Sequence, residues 1–423
     1  MYSLKDFLAA SYTPYHAIRN CAEILEGQGF VRIAENKKWE IAAGGKYYVV
    51  KDGSSLIAFV AGEKGFNIIA SHSDSPAFKL KGSPSMGGEY LTLNSEVYGG
   101  GLFYSYLDRP LKPAGRVVYY DEEKGKVCAQ VVTASFDVVI PSLAIHLNRE
   151  ANKSLSLNPQ TDMIPLASLD PKKDIIKEIV RGTEAEGKEI LDYDLFFASD
   201  EKPFEAGVEN ELLCSPRIDN LSSVLASIEA LAACRPRATA VAAVFDNEEI
   251  GSATKQGADS TFLYDTVRRI NEASGKFSLE AALCDSFMLS LDNSHAIHPN
   301  RPEKSDPTNK CYMGKGVTIK RHANQSYTGD GVSCSVIKQV FKNAGVAVQD
   351  FYNRSDGTSG STLGKISSSH LSVRSVDMGI ASLAMHSACE TIAIKDYENM
   401  LPGLIAFYNA VFEEDTYDSV RIL

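Results

Sequence analysis

Two adjacent carboxylates, Glu248 and Glu249, sit within AAVFDNEEIGSATKQGA, the stretch covering residues 242 to 258. The apolar run ATAVAAVF leads directly into Asp246, Asn247 and this pair. Paired glutamates are ordinarily solvated loop charges, but these follow a run that should be buried, and crowded carboxylates repel one another near pH 7 unless a cation compensates them. Other parts of the chain repeat the design. FNIIA ends in Ser71-His72-Ser73-Asp74, FMLSL ends in Asp292, and Asp219 stands where the apolar-faced segment DNLSSVLASIEALAAC begins. His72, Asp219, Glu249 and Asp292 together offer imidazole and carboxylate oxygen without thiolate, which is a donor set for a divalent metal. A carboxylate shared between two unequal ligand groups would hold two ions about 3.5–4 Å apart, an arrangement that activates a water and polarises a carbonyl. Of two neighbouring glutamates, one would bind metal and the other would take the water's proton. The residue types alone do not say which is which. Alternation along an extended segment puts His72 and Asp74 on the same side, so that Asp74 would accept from the second imidazole nitrogen and fix the tautomer.

These residues need elements that gather them. Thr13 and Pro14 read as the cap and first residue of a helix that Gly27-Gln28-Gly29 stops. Strand-like runs follow in FVRIA, KYYVVK, SLIAFVAG and FNIIASH. From about Glu89 the texture becomes aromatic and glycine-rich, with further strand candidates in KVCAQVV, DVVIPSL and ILDYDLFFAS. KSLSLNPQTDMIPLAS reads as loop and DPKKDIIKEIVRGTEAEG as a helix with a charged face. Near Ser215 a helix–strand texture resumes: Leu221, Val224, Leu225, Ile228 and Leu231 keep one helical face, and ATAVAAVF, FMLSLD and GVTIKR read as strands. Strands alternating with helices predict an α/β sheet covered on both faces. In open sheets of that kind ligands bind beyond the carboxyl ends of the strands, so His72, Glu248/Glu249 and Asp292 project to one crevice.

Composition bounds the reading. At 423 residues the chain exceeds one ordinary core, which favours two domains or one domain with an insertion. A formal net charge of −11, with no run of basic residues, speaks against nucleic acid and anionic lipid as partners. The longest apolar runs are strand-sized, so no membrane span is expected. None of the eight cysteines forms a C-x-x-C pair, and no secretory h-region precedes them, so reduced thiols in a cytoplasmic protein are expected. A nucleophilic serine elbow is missing, since GTSGST lacks the G-x-S-x-G spacing. The YGGG at residues 98–101 lacks the Lys-Ser/Thr of a phosphate loop.

The stretches ASHSDSPAFKLK, GGGLFYSYLDRPL, PSLAIHLNRE, PRIDNLSSV, FDNEEIGSATKQGA, DNSHAIHPN, GTSGSTLG and VDMGIASLAMHSACE follow one another in this chain. On these, the sequence resembles the M18 metallo-aminopeptidases, the aspartyl aminopeptidase family, over nearly its full length. The resemblance implies a phosphorylase/hydrolase-like mixed α/β sheet with helices on both faces, formed by residues 1–91 and 206–423, and a β-rich dimerisation domain inserted at 92–205. It implies two divalent ions, zinc first, with cobalt or manganese as alternatives. His72 and Asp292 would serve one ion, His386 would complete the other's set, Glu249 would be a further ligand and Asp219 would bridge the two; Glu248 would be the general base and Asp74 would orient His72. Read from spacing alone, His386 belongs to the start of an apolar helix and is structural. The resemblance further implies a cytoplasmic, tetrahedral dodecamer built from dimers, with His146 reaching a neighbouring subunit's site. Its substrates would be small peptides with N-terminal Asp or Glu, met by Lys320, with Arg354 as a second cation, although the stretch between Arg354 and Gly360 departs from the eukaryotic pattern. A related dinuclear carboxypeptidase or N-acyl amino acid deacylase would use the same metals. A non-catalytic scaffold on this fold would show a damaged ligand set, and every expected ligand type is present.

Overall fold

The computed structural model describes residues 3–275, 277–357, 360–416 and 418–423. Its largest element is a nine-stranded mixed sheet. At its centre the strand Phe66–His72 lies between Thr239–Phe245 and Phe287–Leu291, with Arg374–Gly379 beyond the latter, all four parallel. Every residue of the first three is buried, as expected for parallel strands covered on both sides. The two-residue periodicity divides them between two cores. Ile69, Ala242, Val244 and Leu289 pack with the helices Ile218–Ala233 and Ile394–Asn409, whereas Ile68, Val241, Ala243 and Met288 pack with Phe262–Ser274 and Leu363–Leu371. The sheet therefore carries helices on both faces, as the alternating texture predicts.

Asn67 joins this sheet to the end of a helix. Fully buried, its Nδ2 donates to the carbonyls of Phe407, Tyr408 and Ala410 at 3.0, 3.2 and 2.7 Å. Those carbonyls lie at the end of Ile394–Asn409 and its cap residue Ala410, where only that of Phe407 also receives a backbone N–H, from Ala410.

A second, six-stranded antiparallel sheet runs Lys126–Thr133, Leu111–Asp121, Ile190–Ser199, Ala77–Ser85, Leu91–Tyr98, Leu166–Ser168. It has its own core, including Phe78, Leu93, Val117, Leu195 and Phe197. Its first strand lies before residue 92, because Ala77–Ser85 pairs with Leu91–Tyr98. A five-stranded sheet, Phe204–Ala206, Leu212–Ser215, Glu390–Ala393, Ala381–Leu383 and Ser294–His295, completes the framework around the crevice.

Some local expectations change. Thr13 occupies the cap position of Pro14–Gly27, but its hydroxyl contacts the His16 ring at 2.8 Å and makes no cap bond to the backbone. The charged-face helix shrinks to Ile175–Val180, ended by the Arg181-Gly182 turn, with Gly182 at φ +78°. The segment read as loop contributes the strand Leu166–Ser168. All eight cysteines are free thiols. Among the described residues no helix is long and apolar enough to cross a membrane.

Candidate metal centre

The parallel strands deliver their terminal residues to one place. His72 is the last residue of Phe66–His72 and Asp292 the first after Phe287–Leu291. After Thr239–Phe245 the chain turns through Asn247, at φ +63°, into the single turn Glu248–Ile250. Asp219 sits at the start of Ile218–Ala233 with non-helical φ/ψ of −80° and 108°, which turns its carboxylate out of the helix. His386 is not in a helix. It lies at φ +66° in the turn between the strands Ala381–Leu383 and Glu390–Ala393, and that turn projects it into the crevice.

The side chains converge. Nε2 of His72 lies 3.6 Å from Asp292 Oδ1, 3.9 Å from Asp219 Oδ1 and 4.0 Å from Glu248 Oε2. Nε2 of His386 lies 3.3 Å from Glu249 Oε1 and 3.5 Å from the other Asp219 oxygen, Oδ2. Ligand atoms of three overlapping groups gather within 4.8 Å: His72, Asp219 and Asp292; His72, Glu248 and Glu249; Asp219, Glu249 and His386. Two of these oxygens, Asp219 Oδ1 and Glu249 Oε1, are buried without a hydrogen-bond donor. Such orphans are costly unless a cation meets them, and the oxygen–imidazole donor set suits zinc or a similar divalent ion.

The electrostatics say the same. Burial, with the charges of Asp292, Asp74 and Asp219, pushes the Glu248 carboxyl up to about 8. Burial and Asp219 raise Glu249 well above the usual carboxylate range despite His386. Burial alone would lower His72, but hydrogen bonds with Asp292 and Asp74 and the charge of Glu248 hold it well above an ordinary histidine. His386 is raised to about 10, burial being outweighed by Asp219 and Glu249. Carboxyl groups hold protons to high pH and imidazoles hold extra ones, so the cluster carries more negative charge than its own cations balance.

A ring of partners fixes these groups. Nδ1 of His72 meets the Asp74 backbone carbonyl at 3.1 Å and lies 3.3 Å from Asp74 Oδ1, and the backbone N–H groups of Glu248 and Glu249 donate to the Asp74 carboxylate at 3.2 and 3.1 Å. Tyr98 also donates to Asp74, at 2.7 Å. Glu390, fully enclosed, accepts from the backbone N–H groups of Asp219 and His386, at 2.7 Å each. Tyr98 and Glu390 were not identified from the sequence. Glu390 had one local sign, a carboxylate opening the apolar run ETIA; Tyr98 had none beyond its place before three glycines.

The centre opens into a cavity of about 470 Å³, walled on one side by Tyr327, Phe351, His295 and Met385. Lys320 is its only lysine or arginine among the described residues; its Nζ donates to Asp292 Oδ2 at 2.9 Å and lies 5.4 Å from the centre of the Tyr327 ring. The charge of Lys320, with that of His72, holds Asp292 well below the usual carboxylate range in spite of its burial. Two sequence candidates are not brought here by this chain. Arg354 pairs with Asp356 at 2.7 Å, donates to the Glu303 carbonyl and lines a separate surface recess. His146 is exposed in a loop outside the cavity.

The family described as Aminopeptidase I zinc metalloprotease (M18) matches residues 7–408. A probable M18 family aminopeptidase 2 of Clostridium novyi (strain NT) is 42% identical over 422 residues, which cover 96% of this chain and 98% of that protein. A chain of the cryo-EM structure of the Ape4 and Nbr1 complex superposes with a TM-score of 0.91 at 35% identity, covering 96% of this chain and 84% of that one. The S. cerevisiae mApe1 dodecamer gives 0.82 at 27%, covering 96% and 95%. The fold and the oxygen–imidazole centre are those of a metallopeptidase. The chain belongs to the M18 family of zinc metallo-aminopeptidases, hydrolases that act on the N-terminal residue of peptides.

Proposed function

We propose that the chain is a dinuclear aminopeptidase in which Asp219 is shared by two divalent ions, zinc first, with cobalt or manganese able to substitute. His72 and Asp292 would complete one ion's ligands, and Glu249 and His386 the other's. One observation carries this reading: the two oxygens of Asp219 face different histidines, Oδ1 towards His72 at 3.9 Å and Oδ2 towards His386 at 3.5 Å. When bound, the ions supply Lewis acidity, activating a water and polarising the scissile carbonyl. Glu248, whose carboxyl reaches the edge of this group without a histidine partner as close as that of Glu249, takes the water's proton and returns it to the leaving amine. Asp74 keeps the proton on Nδ1 of His72, leaving Nε2 free to ligate.

Substrates are peptides with N-terminal Asp or Glu, and Lys320 is the cation for their side chain, being the one lysine or arginine on the cavity wall among the described residues. The active form is a cytoplasmic homo-oligomer, a tetrahedral dodecamer built from dimers, with residues 92–205, together with the strand Ala77–Ser85, as the dimerising insertion in the hydrolase-like domain. The mApe1 dodecamer supports the assembly. So do Leu143, Ile145 and Leu147, which are 60%, 47% and 74% exposed around His146 in this single chain, an apolar surface that another subunit would cover. In such an assembly His146 would reach a neighbour's cavity.

A hydrolysis panel of aminoacyl anilides, before and after chelation and with zinc, cobalt or manganese restored, tests this reading. Aspartyl and glutamyl substrates should be cleaved fastest and their N-acetyl forms not at all. Equal cleavage of the acetylated substrates, or turnover that survives chelation, would refute it.

A further inference from the structure

The YGGG segment that fails as a phosphate loop touches one histidine of the centre, His386, and the Asp74 partner of the other, His72. Tyr98 ends the strand Leu91–Tyr98 of the six-stranded sheet, and Gly99 and Gly100 leave that sheet towards the crevice. The Tyr98 hydroxyl donates to Asp74 Oδ2 at 2.7 Å and accepts from Asn247 Nδ2 at 2.9 Å, while its ring packs edge-on against Phe196. Burial and the Asp74 charge keep the phenol protonated, so it acts as the donor. His72 Nδ1 meets the Asp74 backbone carbonyl at 3.1 Å and lies 3.3 Å from the opposite oxygen of the Asp74 carboxylate, so both acceptors come from the residue that Tyr98 holds; the same carboxylate receives the Glu248 and Glu249 N–H groups. Gly99 has φ +72°, and a Cβ there would stand 3.1 Å from the Glu249 Cβ, so a side chain has neither the conformation nor the room.

Gly100 performs the matching task on the other side. Its carbonyl oxygen lies 3.1 Å from His386 Nδ1. The following residues hold the same turn: Leu102 N donates to the His386 carbonyl at 3.0 Å, and Ser105 Oγ accepts from Ala388 N at 2.9 Å. Each imidazole therefore meets an acceptor at Nδ1, which puts its proton there and presents the Nε2 lone pair to the carboxylate cluster.

We propose that Tyr98 and Gly100 are positioning residues through which the six-stranded sheet sets the tautomer and aim of both ligand histidines. The inference rests on the metal reading given above. Tyr98 acts through Asp74, and Gly100 acts directly by its carbonyl. The centre is thus completed by a segment of a second sheet rather than by the strand ends alone.

Tyr98→Phe removes the hydroxyl and keeps the ring, and Phe196→Leu removes the ring partner and keeps the hydroxyl. The measurement is zinc affinity by competition with a chromophoric chelator, which needs no turnover, followed by kcat and KM separately. Partners of ligand residues typically contribute 10–100-fold to metal affinity. Tyr98→Phe should weaken zinc binding about 10-fold or more and lower kcat at nearly constant KM, with Phe196→Leu changing affinity less than about 3-fold. Wild-type affinity and kcat in Tyr98→Phe would overturn the positioning role alone, as would an equal loss in Phe196→Leu, which would make Tyr98 mere packing. A wild-type chain that takes up no metal would instead bring down the metal reading and this one with it.

Discussion

Replacing Glu248 by Gln, and separately Glu249 by Gln, should split two neighbouring carboxylates into two phenotypes. Glu249 Oε1 is 3.3 Å from His386 Nε2, buried and without a donor, so its loss removes a ligand. Glu248 has no histidine nitrogen closer than 4.0 Å, and its side chain retains 15% exposure at the cavity. Burial and the charges of Asp292, Asp74 and Asp219 raise its carboxyl to about 8, so near pH 7 the metal-free side chain is mostly neutral already, and the neutral Gln should leave the metal-free fold about as stable as wild type. The catalytic cost follows from the role: general acid–base groups contribute about 10²–10⁴-fold, or roughly 3–5 kcal/mol at about 1.4 kcal/mol per decade. Glu248→Gln should therefore lose that factor in kcat with KM within about threefold of wild type and its metal content unchanged. Glu249→Gln should lose metal, and recover part of its activity at high zinc. Steady-state kinetics on one acidic aminoacyl anilide, with elemental analysis of the same samples, reads both. A Glu248→Gln enzyme above about one-tenth of wild-type kcat, or one depleted of metal, would refute the assignment of base and ligand.

Other outcomes follow from the same geometry. In metal-free protein Glu248 and Glu390 are raised to about 8, Asp246 to about 7 and His386 to about 10, so from about pH 5 upward the folded chain holds more protons than the unfolded one. Its stability must then fall with rising pH, and saturating zinc, which displaces the His386 proton and lowers the neighbouring Glu248 carboxyl, should flatten the fall; melting temperatures at pH 6 and 9 check the sign. Asn67→Ala leaves the carbonyls of Tyr408 and Ala410 without this donor, while that of Phe407 keeps the Ala410 N–H, and should cost about 2–4 kcal/mol in urea unfolding, with the metal content of the folded protein unchanged. Lys320→Gln should lower kcat/KM for aspartyl substrates at least tenfold relative to alanyl ones; an unchanged ratio would remove Lys320 from specificity.

Legibility in the sequence tracked how local each contact is. The three buried strands were readable because FNIIA, ATAVAAVF and FMLSL are continuous apolar runs with turn-forming ends, and a parallel sheet places those ends together. His72, Asp219, Glu248, Glu249 and Asp292 could thus be grouped in advance, and the two-residue step from His72 to Asp74 predicted their contact. His386 could not, because its place depends on a left-handed turn between two short strands that pair with each other and are held by Leu212–Ser215 and Ser294–His295, far from it in sequence. Periodicity instead read its surroundings as the start of a helix. Glu390 and Tyr98 were missed for a related reason: each reaches the centre through a backbone or second-carboxylate contact that no spacing encodes. Arg354 was named for its charge, but the adjacent Asp356 satisfies that charge on the surface. The expected helix at residues 170–187 shortens to Ile175–Val180, whose Ile175, Ile179 and Val180 are buried against the core of the six-stranded sheet, while Ala185 reaches that core after the Arg181-Gly182 turn.

Metal stoichiometry in solution bears most directly on the shared carboxylate at Asp219. Metal-free protein titrated with zinc, followed by calorimetry and elemental analysis of the washed product, should bind two ions per chain, and Asp219→Asn should weaken both. Uptake of a single ion, or a loss confined to one ion in Asp219→Asn, would contradict a centre in which one aspartate serves two cations.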